Sequence, residues 1–177
     1  REGEFLVSKT SLKGVITYVN QPFVEMSGYT KEELIGQAHN LIRHPDMPPA
    51  AFEDFWKTLK QGRPWSGFVK NRAKDGSFYW VFANATPINE SGQITGYLSV
   101  RSKPTREQIR AAENLYREMR EGRAKVEINA GDVVPLTLIG RLKQRLRFIS
   151  VRTRIIMILG FFSAIITCLG ITGLLGF

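Results

Sequence analysis

Cysteine and histidine are scarce in this chain: one cysteine, Cys168, and two histidines, His39 and His44, in 177 residues. A single cysteine cannot close an internal disulfide. Because it lies in the last apolar stretch, thiol catalysis and cysteine-held metal clusters are excluded from everything before it. Acid is missing from Arg141 to Arg154, where six basic residues stand with no Asp or Glu. Charge of either sign is missing from the 23 residues "IIMILGFFSAIITCLGITGLLGF", 155–177. Internal repeats and low-complexity segments are lacking as well.

The net charge of +9 suggests nucleic acid until it is mapped. Residues 1–100 hold 11 Lys+Arg against 10 Asp+Glu, and residues 101–177 hold 14 against 6. The excess is therefore confined to the approach to the apolar run, a juxtamembrane pattern and not a groove-reading surface. Nucleic-acid binding is rejected on that ground. As a helix the run would span about 34 Å, enough for a hydrocarbon core of about 30 Å, and its position excludes a signal peptide. Residues 155–177 are expected to cross the membrane, with 1–154 on the cytoplasmic side by the positive-inside rule. The chain opens Arg1-Glu2-Gly3 and ends "GITGLLGF", so it is expected to be a piece of a longer protein.

The first hundred residues read as α+β. "GVITYVN" (14–20) alternates as a strand; "TKEELIG" carries a capping box, Thr30 with Glu33. "PPAAFEDFWKTLKQG" puts Phe52, Phe55, Trp56 and Leu59 on one helical face, more consistent with core than with a cofactor box. Strands follow in "WSGFVKNRA", "SFYWVFANATPI" and "QITGYLSVRS", joined by the turn signals "KDG" and "NESG". Thr105 with Gln108 caps a charged helix whose narrow apolar stripe, Ile109, Ala112, Leu115/Tyr116 and Met119, wants a partner, either the domain below or a second copy. Residues 122–140 show no clear structure, and "RLKQRLRFISVRTR" is the basic approach to the membrane.

Both histidines fall in "HNLIRHPDMP" (39–48), beside Arg43 and Asp46. Two histidines and a carboxylate could hold a metal, but a spacing of five and Pro45 oppose convergence. Acid/base work by His44 and Asp46 lacks any nucleophile or phosphate loop. Asp46 is also placed to cap a helix beginning near Pro48, a purely structural role. A ligand pocket remains open, with Trp65 and Asn71 as further candidates that the spacing alone does not point inward.

"ITYVNQPFVEMSGYTKEELIGQAHNLIRHPDMP", "FWKTLKQGRPWSGFVKNRAKDGSFYWVFANATPI" and "GYLSVRS" resemble a PAS domain. More closely they resemble the FAD-binding PAS domain of bacterial aerotaxis receptors; "PWSGFVKNRAK" also resembles the redox-sensing flavin PAS domain of a nitrogen-fixation regulator. The resemblance implies a five-stranded antiparallel sheet with helices on one face over residues 1–103. A linker helix (104–121), a basic juxtamembrane linker (122–154) and a transmembrane helix (155–177) would follow. It implies that Arg43, His44 and Asp46 help hold FAD, with Asn20 and His39 near the same pocket and Trp65 and Asn71 close to the isoalloxazine ring. Light-sensing flavin PAS domains need a reactive cysteine, absent here before Cys168, so a flavin would signal by redox state. The Asn71 amide could answer a change at the ring by flipping.

The expectation is a membrane-anchored redox or oxygen sensor without enzymatic turnover. It would be a homodimer in contact with lipid, sitting in the inner membrane with its PAS domain on the cytoplasmic side. It would feed a HAMP-type relay, a kinase-control domain and a chemotaxis adaptor and kinase. The competing expectations are a cofactor-free PAS interaction module, or a haem sensor with His39 or His44 as axial ligand, feeding a kinase or cyclase.

Overall fold

The computed structural model describes residues 4–137 together with 153, 155 and 156. The chain divides after Val133 into two compact units. Most of the basic approach, most of the expected membrane helix and Cys168 lie outside the described residues. Among the described residues no helix is long and apolar enough to cross a membrane.

The first unit opens with strands β1 (Leu6–Ser11) and β2 (Ile16–Val19). Short helices α1 (Gln21–Ser27) and α2 (Lys31–Leu34), a 3₁₀ turn (His39–Ile42) and helix α3 (Pro49–Lys60) come next. Strands β3 (Trp65–Arg72), β4 (Phe78–Glu90) and β5 (Gln93–Ser102) form a meander, followed by α4 (Arg106–Arg120) and a hairpin of β6 (Val126–Asn129) and β7 (Asp132–Pro135). The five long-paired strands lie in the order β2-β1-β5-β4-β3, every neighbour antiparallel. Among the described residues the last two strands pair only with each other. Of the second unit, the described residues are the end of β7 through Thr137, and 153, 155 and 156.

Local chemistry explains the boundaries. Both capping boxes form: Thr30 accepts from the Glu33 N–H while Glu33 reaches back, and Thr105 does the same with Gln108. Such caps satisfy helix N–H groups that have no intrahelical partner. The β4–β5 turn places Ser91 and Gly92 at φ of 51° and 84°. Positive φ at both central residues matches the right-handed twist of a hairpin, and glycine adopts it without steric cost.

The sheet has two distinct faces. Across β3 and β4, Gly67, Val69 and Asn71 pair with Ala83, Val81 and Tyr79; Phe68 and Lys70, on the opposite face, pair with Phe82 and Trp80. α3 and the 3₁₀ turn cover the first face, which carries the cavity described below. α4 covers part of the other: Tyr116, buried, stacks on Trp80 with ring centroids 6.0 Å apart and donates its hydroxyl to the Phe68 carbonyl at 2.6 Å. Helices thus lie on both faces, and the apolar stripe of the charged helix finds its partner within the same unit.

Candidate ligand-binding cavity

A cavity of about 250 Å³ opens between the inner sheet face and the 3₁₀ turn with α3. The helical face of Phe52, Phe55, Trp56 and Leu59 is divided in use. Leu59 is fully buried, while the three aromatic residues line the cavity. Opposite them lie Val69, Asn71, Ala83, Ala85, Ser99 and Arg101. Small residues at 83 and 85 leave the room that larger ones would fill.

The polar lining is positive and has no acid. Arg101 is 5% exposed and donates to Ser8 Oγ at 3.0 Å and to His39 Nε2 at 2.9 Å. Burial lowers its pKa to about 10, so it stays charged at neutral pH. Arg43 lies with its guanidinium 3.6 Å from the centre of the Phe52 ring. No Asp or Glu is among the lining residues. His39 is pushed down to about 3, first by burial and then by Arg101 and Arg43. It is therefore neutral, and because Nε2 accepts from Arg101 its proton sits on Nδ1.

Three buried donors in this lining have no partner: Arg43 Nε, Asn71 Nδ2 and Ser99 Oγ. Each buried donor left unpaired costs about 1–3 kcal/mol. Three together, beside two guanidinium groups, would suit a ligand rich in acceptors and carrying or gaining negative charge. The aromatic wall adds a preference for a flat ring.

The seven residues singled out in the sequence separate into two groups. His39, Arg43 and Asn71 line the cavity, and an antiparallel bridge joins Arg43 to Asn71. Asn20, His44, Asp46 and Trp65 do not line it. The Asn20 side-chain Oδ1 accepts from Phe23 N–H at 3.2 Å and Val7 N–H at 2.9 Å, which fastens the start of α1 to β1.

His44 and Asp46 turn towards the outer face. His44 Nδ1 accepts from the Asp46 N–H at 3.1 Å, and its ring meets Phe78 edge-on. The Asp46 carboxylate accepts from Lys70 Nζ at 2.6 Å, while its carbonyl accepts from Arg120 of α4. The Lys70 hydrogen bond holds the Asp46 carboxyl below the usual carboxylate range. Asp46 does not cap α3: the cap position is Pro48, which has no side-chain bond to offer. The two histidines face different sides of the segment, so they and Asp46 do not converge on one point. Among the described residues no His, Cys, Asp and Glu cluster could hold a metal.

Trp65 is buried behind Phe55, ring centroids 5.1 Å apart, and donates Nε1–H to Asp54 Oδ2 at 2.8 Å. Reading the sequence missed Arg101, Ser99 and Ser8. The available signal was their strand phase, which they share with Tyr97 and Thr10 across β1 and β5.

Comparison with known proteins agrees with this fold. The family described as PAS fold matches residues 16–101. The chain is 53% identical over 137 residues to the aerotaxis receptor of Escherichia coli (strain K12), covering 77% of this chain and 27% of that protein. It is 34% identical over 95 residues to a nitrogen fixation regulatory protein of Klebsiella pneumoniae, covering 53% of this chain and 19% of that protein. The chain thus spans about a quarter or less of the length of these two relatives. Among solved structures, the light state of the Aureochrome1 LOV domain superposes with a TM-score of 0.56 at 23% identity, over 64% of this chain and 90% of that one. A light–oxygen–voltage domain studied with a flavin analogue superposes at 0.55 and 28% identity, over 66% and 87%.

Proposed function

Residues 16–101 form a PAS domain, and from that premise we propose that the cavity holds a flavin, FAD, as a sensor of redox state. The observation that carries this reading is the pair of guanidinium groups, half-buried Arg43 and buried Arg101, in a lining with no carboxylate and three unpaired donors. The likeness to an aerotaxis receptor and to flavin-associated light–oxygen–voltage domains supports the same ligand class.

The residues fit such a group. A cavity of about 250 Å³ falls just under the roughly 300 Å³ of a small ligand site. It suits the ring system, leaving the nucleotide part outside. Phe52, Phe55 and Trp56 would flank the ring, and Asn71, Ser99 and Arg43 Nε would meet its acceptor edge. When bound, a flavin supplies a ring that takes up electrons, with changes in charge and protonation at its nitrogen atoms.

The chain's own contribution is electrostatic. Arg101 and Arg43 remain cationic and favour added negative charge in a site of low dielectric. His39, held neutral by burial first and then by those two cations, keeps its Nδ1 proton and serves as a positioned donor, not a proton reservoir. His44 and Asp46 act from behind, tying the segment that bears Arg43 to Lys70 and α4. Asn20 and Trp65 act the same way, by fixing α1 and α3. Asn71 can present either end of its amide, so its orientation can follow the charge state of the ring.

In the whole protein, the domain would sit on the cytoplasmic side of the inner membrane as a homodimer in contact with lipid. It would pass its state through a HAMP-type relay to a kinase-control domain and a chemotaxis adaptor and kinase. No turnover is assigned to it; the flavin is a sensor. The test is an absorbance spectrum of the purified chain during a dithionite titration, with chromatography of what denaturation releases. A two-band flavin spectrum that bleaches reversibly, with FAD released, supports the proposal. A single intense Soret band moves the assignment to haem, and a colourless folded protein leaves a cofactor-free interaction module.

A further inference from the structure

We propose that the Asp54 carboxylate is a latch: it fastens the β6–β7 hairpin to the wall of the cavity and passes the state of the cavity to the chain beyond the domain. The coupling rests on the reading that the cavity holds a flavin; the latch itself does not.

Asp54 is 8% exposed, and three N–H groups converge on it. Its Oδ2 accepts from Trp65 Nε1 and from the Gly131 amide, both at 2.8 Å, and its Oδ1 accepts from the Ala130 amide at 2.8 Å. Thr58 Oγ1 stands at 3.5 Å from Oδ1. A carboxylate has about four acceptor sites, so three N–H bonds nearly fill it. Charge-assisted bonds of this kind are about twice as strong as neutral ones.

The hairpin tip is shaped for this contact. Ala130 and Gly131 take φ of 53° and 85°, the two-residue turn that suits a hairpin and aims both amides to one side. Gly131 also packs against the Ser66 carbonyl so closely that a Cβ there would overlap it. Only glycine fits both the dihedral and the contact.

The other side of the latch is the cavity. Asp54 directly precedes Phe55 on α3, and Phe52, Phe55 and Trp56 of that helix line the cavity. Trp65, held by Asp54, touches Phe55 and begins the strand that carries Asn71. One carboxylate therefore reads both a helix and a strand of the cavity wall. A small shift of either against the hairpin lengthens short bonds whose strength falls steeply with distance and angle.

Hydrogen–deuterium exchange on the whole chain, flavin-loaded, tests this under air and after anaerobic reduction with dithionite. The Ala130 and Gly131 amides are expected to exchange at rates that differ at least threefold between the two states. Gly131→Ala, which leaves Asp54 and Trp65 in place, is expected to speed their exchange about tenfold, given roughly one charged hydrogen bond lost, with flavin absorbance retained. By reciprocity, that variant shifts the oxidised-to-reduced ratio at fixed potential by the factor that reduction imposes on the latch. Equal exchange in both redox states overturns the coupling. Unchanged exchange in Gly131→Ala overturns the latch. A chain without flavin absorbance overturns the flavin reading instead, and the latch is then judged on Gly131→Ala alone.

Discussion

The two faces of the central sheet differ in how completely their polar groups are answered. On the outer face, buried Lys70 meets Asp46 at 2.6 Å, Tyr116 meets the Phe68 carbonyl at 2.6 Å, and Trp80 lies under Tyr116. On the inner face, Arg43 Nε, Asn71 Nδ2 and Ser99 Oγ are buried without partners, and two guanidinium groups share a cavity with no acid. A folded chain tolerates unpaired buried donors only where other terms over-determine the structure or a ligand supplies the partner. On the proposed function, the outer face serves stability and the inner one recognition.

If that division holds, damage to each face has a distinct signature. Tyr116→Ala removes a buried ring that seats α4 and a hydrogen bond, and is expected to cost about 3–4 kcal/mol. Urea unfolding measures it, and the folded fraction keeps its flavin. Arg101→Met is the reverse. It removes a buried cation that no acid in the cavity balances, so the ligand-free protein is expected to unfold at the same or higher urea concentration. Flavin affinity, read by fluorescence titration, falls about 10- to 100-fold because charge-assisted bonds to the ligand are lost. A large stability loss in Arg101→Met with affinity intact would collapse the distinction between the faces.

The same division governs what was legible in the sequence. Elements whose signals are local came through: both capping boxes, the "KDG" and "NESG" turns and the three strands of the meander. Periodicity does not tell which face matters. In β5 the apolar phase, Leu98 and Val100, points away from the cavity, while the polar phase, Tyr97, Ser99 and Arg101, points into it. Alternation assigns apolar side chains to the interior, and a polar cavity inverts the rule. In "RHPDMP" the cluster was visible, but backbone direction divides it: Arg43 goes inward, while His44 and Asp46 go to Lys70. Nothing local in residues 122–133 announced a docked hairpin, because its anchor, Asp54, lies 76 residues from Ala130 in the chain.

A smaller effect probes the inner face through protons. His39 titrates at about 3 in the folded chain, held down by burial and by Arg101 and Arg43, against about 6.5 when unfolded. Below pH 6.5 the unfolded chain takes a proton that the folded chain refuses, so stability is full above that value and falls as pH drops towards 3. Between pH 7 and 5 the loss is expected to be about 1–2 kcal/mol, allowing for the ring's partial exposure. His39→Gln flattens the profile. A residual slope of the same sign belongs to His44, whose pKa is also lowered, first by burial and then by Lys70.

The smallest effect belongs to the outer-face ion pair. Asp46 is 46% exposed on its side chain, so its bond to Lys70 is screened despite its 2.6 Å length, and Asp46→Asn is expected to cost only about 0.5–1 kcal/mol at pH 7. Lys70 keeps a second partner in the variant, the Phe78 ring 4.2 Å from its Nζ. Because the folded Asp46 carboxyl lies below its unfolded value of about 3.9, its contribution is present above that pH and lost as pH falls through the folded value. Wild type and Asp46→Asn should therefore converge in urea unfolding once the pH has fallen through the folded value, with flavin affinity unchanged throughout. If affinity instead falls with this substitution as far as it does in Arg101→Met, Asp46 reaches the ligand directly, and the separation of the two faces does not extend to the "RHPD" segment.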